Sequence, residues 1–444
     1  FVVGKIMVVD PAATALIREL AQGSVFAAFL LAFTNGANDI ANSVGTSVGS
    51  KAMSLQNAIA AGVIFESLGG LFVGPLVSNT ISHGIIDLTS YERTPNALVK
   101  IMFSSILGSG LSTLGATAYG VPVSATKGVI TSMVVLALMT EGSGALNLEG
   151  LSYMVLTFII SPISGLLGAY LLNAVILKTI VMASSPVAAA KAYRPLIFGI
   201  TVSVSTLSLV FKGPMAISPA PLAFLAAIAI GGICGLVAQW YWKTYGEDRK
   251  DIELNEPKKA TKDAVEDQLN ETFSPLVVLS GFVVAFAHGG NDVSNASGPL
   301  SIVAGYALKP DATSMSSLPK PYWTIGLATL GFACGIIVMG EKSIRVVGCK
   351  LAKQTASKAF ATQFGAACTI LVASILHQTV STSHVLVGAV VGASIAERHW
   401  TKKDVKVNYS VLLKIVVGWV VTIPIAGGIA VTCYYTVSVF SGVW

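Results

Sequence analysis

The chain has 444 residues, 53% of them hydrophobic and only 11% charged, with a formal net charge of +6 and a mean hydropathy of +0.74. A soluble domain averages roughly a quarter charged residues, so this composition excludes an ordinary water-facing fold and reads as an integral, multi-pass membrane protein. It also gives no basic, aromatic-interleaved patch for nucleic acid. The five dispersed cysteines, without CxxC spacing, give no disulfide framework or zinc site. No nucleophile–base set or nucleotide loop is present either, so an enzyme is not expected. Opening on Phe1 rather than methionine is consistent with a processed or trimmed N-terminus, with any targeting peptide outside the sequence.

In chain order, about twelve apolar segments are long enough to cross or enter a bilayer. They fall at 21–38, 54–77, 97–119, 121–140, 151–177, 195–211, 222–242, 272–289, 323–340, 357–377, 380–397 and 409–441. Residues 243–271 break the series with nine acidic and six basic side chains and read as an aqueous linker. Three parts result: a membrane half at 1–242 that includes additional helices, the charged cytoplasmic linker 243–271, and a second membrane half at 272–444.

Cytoplasmic loops are enriched in lysine and arginine. The basic loops at 341–358, 398–408 and 178–194 are therefore set inside, and the acidic loop 141–150 outside. On this count 21–38 run inward, 272–289 run outward, and both termini with the loop 308–322 lie outside.

The same chain carries an internal repeat. Residues 33–42, FTNGANDIAN, match 286–295, FAHGGNDVSN, and the segment at 121–128, VPVSATKG, echoes TVSTSHVL at 379–386. The motif order is the same in both halves, yet the charge count sends the first copy inward and the second outward. The expected fold is therefore an all-α membrane protein of two inverted-topology repeats, an arrangement shared by many secondary transporters.

Asp39 and Asp292 fall near bilayer depth, where a lone carboxylate costs roughly 2.5–3.5 kcal/mol and is normally offset by a cation or a wet cavity. Gly36, Gly289 and Gly290 are expected to let the backbone leave the helix and free carbonyls for a cation. Asn38, Asn42, Asn291 and Asn295 can donate to an oxyanion and turn their own carbonyls to a hard cation. The alternative is a pair of helix caps around a satisfied carboxylate. The second motif, at 122–126 and 380–384, joins two apolar runs with almost no loop, either as a crossing pair or as a re-entrant hairpin. Ser124, Thr126, Ser381, Thr382 and Ser383 would line its tip and bind a tetrahedral oxyanion without a buried arginine. Glu66, the only acid in its apolar segment, is read as a further cation-coupling group. The sequons at Asn270 and Asn408 fall on the cytoplasmic side and are read as chance matches.

The paired G-x-N-D-x-x-N motifs, the Pro-Val-Ser-x-Thr hairpins and the acidic central loop resemble the inorganic phosphate transporter (PiT) family, which includes sodium- and proton-coupled symporters. The resemblance spans nearly the whole membrane portion. It implies phosphate at the pseudo-symmetric centre and sodium ions near Asp39 and Asp292. Phosphate contacts would come from Asn38, Asn42, Asn291, Asn295, Ser124, Thr126, Ser381, Thr382 and Ser383. It also implies extracellular termini.

The chain departs from the family pattern at three places. The first hairpin reads Ser124-Ala125-Thr126-Lys127, losing one hydroxyl and replacing the histidine that the second keeps as His384. Gln363 stands where many members carry a glutamate, which bears on how many cations couple. His288 precedes the second motif where Asn35 precedes the first.

The expected activity is sodium-coupled phosphate import at the plasma membrane, with an organelle membrane as the alternative site. No cofactor is expected beyond the co-transported ion, and a homodimer in the bilayer is compatible with the sequence. A sulfate permease, a proton-coupled phosphate symporter of the same fold, and a channel or transport-dead receptor are the competing readings. Lys127 is expected either to snorkel to one membrane face or to lie on the anion's approach.

Overall fold

The computed structural model describes residues 11–212, 220–245, 262–310, 312, 314–375 and 380–441. Its helices are α1 (Pro11–Asp39), α2 (Ala41–Gly49), α3 (Leu55–Phe72), α4 (Gly74–His83), α5 (Pro95–Ala118), α6 (Ala125–Thr140), α7 (Leu148–Ile176), α8 (Pro186–Lys212) and α9 (Ala220–Tyr245) in the first half. The second half holds α10 (Lys262–Asp292), α11 (Ser294–Leu308), α12 (Trp323–Arg345), α13 (Ala356–Ile375), α14 (Thr382–Thr401) and α15 (Tyr409–Ser441). Strand pairing among the described residues is limited to isolated bridges at Ile86–Leu146 and Ala352–Val407.

Nine helical spans among these residues are long and apolar enough to cross a membrane: α1 with α2, α3, α5, α7, α8, α9, α10 with α11, α12 and α15. Large apolar side chains on their outer faces are left bare, as on Leu167, Ile228, Leu236 and Val420. Lipid tails, not water, suit such surfaces. The chain is an integral, multi-pass membrane protein. The helices outside that set include α6, α13 and α14, which flank the two hydroxyl-bearing tips.

The packing repeats across the two halves. Helix α1 packs on α12 as α10 packs on α3; α15 packs on α5 and α6 as α7 packs on α13 and α14. The first relation extends to single residues. A methyl group added at Gly36 would sit 2.1 Å from the Phe332 carbonyl oxygen, and one at Gly335 would sit 1.8 Å from that of Phe33. In the second pair the corresponding contacts are Gly289 on the Glu66 oxygen at 2.0 Å and Gly69 on the Phe286 oxygen at 1.9 Å. Small residues are what allow two membrane helices to approach this closely.

These contacts correct the expectation for the motif glycines. The helix does not unwind at Gly36, Gly289 or Gly290: Ile40 N–H still donates to the Gly36 carbonyl, and Val293 N–H to that of Gly289. The interruption comes just after each aspartate, at Ile40 and Val293, and both residues keep right-handed helical dihedrals. The glycines lack a side chain because another helix backbone, or Val73 in the case of Gly290, occupies the space a Cβ would need.

The expected linker at 243–271 is also shorter than its charge implies. Residues 246–261 lie outside the described residues, but α10 begins at Lys262 and carries Leu269 and Phe273 into a cluster with Phe360 and Phe364 of α13. Asn270 Oδ1 accepts from Ala356 N–H at the start of α13, and Asn408 Oδ1 from Val411 N–H at the start of α15. Both sequon asparagines are thus helix-start acceptors.

Candidate functional site

The two Asn-Asp motifs end α1 and α10, and the two hydroxyl tips start α6 and α14. The fold brings all four together, with the two halves interleaved. Asp39, from the first half, accepts at Oδ1 from Ser383 Oγ of the second hairpin at 3.0 Å and from Asn42 Nδ2 at 3.2 Å. Asn42 Nδ2 also reaches Ser383 Oγ at 2.9 Å. Asn295, from the second half, donates from Nδ2 to Thr126 Oγ1 of the first hairpin at 3.0 Å. Asp292 takes Asn291 Nδ2 at 2.8 Å on Oδ1 and Thr382 Oγ1 at 3.5 Å on Oδ2. Even Asn35 and His288, the unlike residues ahead of each motif, meet the same group: Asn35 Nδ2 donates to the Asp292 carbonyl at 3.2 Å.

His288 is held between two acids. Its Nε2 lies 2.7 Å from Asp292 Oδ2 and its Nδ1 lies 3.4 Å from Glu66 Oε1, with all three residues buried. Ligating atoms of Asp39, His288 and Asp292 lie within 4.8 Å of one another, close enough to share one cation. The two motif carboxylates therefore face a common locus.

A carboxylate at this depth is tolerable because each has hydrogen-bond donors, and the remaining charge calls for a cation or a proton. Oxygen donors from carboxylates, amide carbonyls and hydroxyls are the set that hard cations take. Asp39 and Asp292 could together hold such a cation.

Glu66 is fastened from a second side by the hydroxyl of Ser43. Gln363 sits one step further out: Nε2 donates to the Ser43 carbonyl at 3.0 Å and Ser47 Oγ at 2.7 Å, while Oε1 accepts from Ser280 Oγ at 2.9 Å. The Gln363 amide therefore has donor and acceptor ends both engaged. It belongs to the polar network behind the carboxylates rather than to the Asp39–Asp292 locus.

The hydroxyl tips are not equivalent. Ser124 Oγ accepts from Lys127 N–H and so caps α6, whereas Ser381 makes no such bond at the start of α14. Buried polar atoms without a partner among the described residues include Ser381 Oγ, Asn295 Oδ1, Glu66 Oε2 and His384 Nδ1. Such atoms are costly unless a ligand or water completes them. Asn38 differs from its counterpart Asn291. Its Nδ2 donates to Thr117 Oγ1 at 3.0 Å and to the Val121 carbonyl at 3.1 Å, and its Oδ1 accepts from Val123 N–H at 2.9 Å. That clamp fixes the shape of the first tip.

Lys127 neither snorkels nor reaches a carboxylate among the described residues. It is 9% exposed, its Nζ lies 2.8 Å from His384 Nε2, and the rings of Phe158 and Trp419 stand 5.0 and 5.8 Å away. Phe158 and Trp419 lie on α7 and α15, helices remote from the motifs, whereas Thr117 and Ser280 lie on α5 and α10 just ahead of a motif. Ser43 was within reach of inference, being the residue after Asn42.

Buried amides and hydroxyls around two interleaved carboxylates, inside a shell of lipid-facing helices, are the features of a membrane solute transporter. The sequence profile of the phosphate transporter family matches residues 35–430, and the chain belongs to that family. A Haemophilus influenzae protein whose name assigns it provisionally as a phosphate permease is 33% identical over 407 residues, 92% of this chain and 94% of that one. The Arabidopsis thaliana protein named inorganic phosphate transporter 2-1, chloroplastic, is 31% identical over 93% of this chain and 71% of its own length. A solved structure titled as the sodium-dependent phosphate transporter superposes with a TM-score of 0.82 at 27% identity, covering 95% of this chain and 99% of that one.

Proposed function

We propose that this chain is a secondary active symporter that imports inorganic phosphate with sodium ions, by alternating access around a site between its two halves. The observation that carries the reading is the pairing of Asp39 and Asp292, one from each repeat, around one locus, with Ser383 and Thr382 of a single hairpin on them. A hairpin tied to both carboxylates can respond to their neutralisation. When cations fill the locus, the hydroxyls of Ser381, Thr382 and Ser383 and the amides of Asn42 and Asn295 are free to turn to an anion. Sodium thereby supplies the charge that an arginine-free phosphate site lacks.

Phosphate is favoured over sulfate by Asn295 Oδ1, a buried acceptor without a partner among the described residues. Monohydrogen phosphate carries an O–H to give it; sulfate does not, and would leave the acceptor facing an anion oxygen. In this reading the twelve apolar segments form two inverted repeats. The α5–α6 and α13–α14 pairs are re-entrant hairpins from opposite faces, the termini lie outside, and the protein works in the plasma membrane as a homodimer.

One observation favours a second reading, in which protons couple instead. His288 lies between Glu66 and Asp292, and an imidazolium there would occupy the place of a cation. Uptake of labelled phosphate by proteoliposomes under an imposed sodium gradient, or under a pH gradient in choline, separates the two. Accumulation under sodium alone supports the proposal; accumulation driven equally by the pH gradient without sodium overturns it in favour of protons.

A further inference from the structure

Hydroxyls in membrane helices usually bond back to the carbonyl one turn earlier, and many here do: Thr117 to Thr113, Ser394 to Val390, Thr422 to Gly418. The row on α5 that ends at Thr117 behaves differently at its other three members. Ser105, Ser109, Thr113 and Thr117 recur every fourth residue, so they stack along one ridge of the helix, and all four are fully buried. Ser105 Oγ and Thr113 Oγ1 have no partner among the described residues. Between them Ser109 donates to the Ala125 carbonyl of α6 at 3.2 Å.

Helix α6 adds a hydroxyl to the same ridge. Gly128 packs on Ser109 so closely that an added methyl would lie 2.6 Å from its Oγ. The two helices run antiparallel from that contact, so one turn further Ser132 comes opposite Ser105. Ser132 is also fully buried and also without a partner among the described residues. The row ends at the site, because Thr117 Oγ1 accepts from Asn38 Nδ2 and Asn38 is bonded in sequence to Asp39.

A single unsatisfied buried hydroxyl costs about 1–3 kcal/mol. Three on one seam, none bonded to its own backbone, call for a shared partner, and water is the partner that buried polar groups ordinarily take. We infer that a file of water molecules follows α5 from the level of Ser105 and Ser132 to Asn38, and that it admits small cations to Asp39. The lining is hydroxyl and carbonyl oxygen with no basic side chain on the ridge, which solvates a cation better than an anion. The cation role rests on the symport reading above; the water file does not.

The test uses silver ion, a small cation that reacts with thiols. The five native cysteines are replaced by alanine and a single cysteine is placed at Ser105, Thr113 or Ser132, with Ile106→Cys as the control. Ile106 is equally buried on the same helix and carries no polar atom. In proteoliposomes, silver applied from the side of Pro95 should modify the three row positions on the order of ten-fold faster than the control, as hydrated and dry sites differ, and sodium should slow the reaction. Rates equal to the control overturn the file, whatever the wild-type protein transports. Fast modification in a protein that accumulates no phosphate upholds the file and sinks the symport reading instead. A readout on the unaltered chain guards against misfolded variants. Under hydroxyl-radical footprinting, buried Met133, next to Ser132, should be oxidised faster than buried Met154 of α7; equal protection of both contradicts the file.

Discussion

Lys127 Nζ lies 2.8 Å from His384 Nε2, so the residues at matching positions of the two hairpins touch each other. Since the ammonium donates, His384 accepts at Nε2 and carries its proton on Nδ1, the atom left without a partner among the described residues. The pair couples the two tips through one charged hydrogen bond, walled by Phe158 and Trp419. A buried ammonium with no carboxylate beside it among the described residues is a standing positive charge for an anion at the tips. Lys127→Met, which keeps the length and removes the charge, should weaken phosphate binding about ten-fold, or ~1.4 kcal/mol. Lys127→Arg should not restore it, because the ring-lined space holds an ammonium and a guanidinium is wider. Binding of labelled phosphate to purified protein checks both; wild-type affinity in the Met variant removes the charge from the account.

Asp39→Asn and Asp292→Asn should each abolish gradient-driven accumulation while leaving folded protein in the membrane. An amide is nearly isosteric and can keep the Ser383 or Thr382 contact, but it cannot collect a cation. Transport and a thermal unfolding midpoint, measured on the same preparations, distinguish lost coupling from lost structure. Normal accumulation by both variants would exclude the carboxylates from the mechanism.

Gln363→Glu should destabilise the protein in sodium-free buffer and make its stability depend on sodium. The new carboxylate would face the Ser43 carbonyl where an amide N–H now donates, a repulsion that a cation or a proton between them relieves. The expected result is a rise in thermal midpoint with sodium that exceeds the wild-type rise. Equal responses in both proteins would show that this position cannot take a cation.

Gly289→Ala should fail to assemble or unfold well below the wild-type midpoint, since its methyl would meet the Glu66 carbonyl oxygen at 2.0 Å. Backbone cannot yield as a flexible side chain does, and overpacking of this kind typically costs ~1–3 kcal/mol or more. Gly326, where an added methyl meets nothing nearby, serves as the tolerant control. A Gly289→Ala protein as stable as Gly326→Ala would contradict the close helix approach.

Much of this was legible before the structure. Apolar run lengths placed most of the long helices, because bilayer thickness sets them, but they missed the early starts of α1, α8 and α10 and all of α2 and α11; the duplicated FTNGANDIAN and FAHGGNDVSN segments marked the residues that converge. What the motifs could not convey was which half meets which. Ser383 reaches across to Asp39 and Thr126 to Asn295, pairings that depend on helix crossing rather than on sequence distance. Glycine was misread for a related reason. At Gly36 and Gly289 the sequence signature of a flexible backbone and of a tight interhelical contact is the same, and only the neighbour, the carbonyl of Phe332 or of Glu66, tells them apart. Lys127 was likewise opaque, since its partner lies on the other hairpin.

On the proposed mechanism, phosphate binds where the two hairpin tips and the two Asn-Asp motifs meet. An electron cryomicroscopy map of the protein in sodium and saturating phosphate tests it most directly. Tetrahedral density is expected within hydrogen-bond reach of Ser381, Thr382 and Asn295, with a smaller peak at Asp39 and Asp292 that disappears when sodium is withdrawn. Phosphate density elsewhere, or an empty junction at phosphate concentrations that saturate uptake, would contradict it.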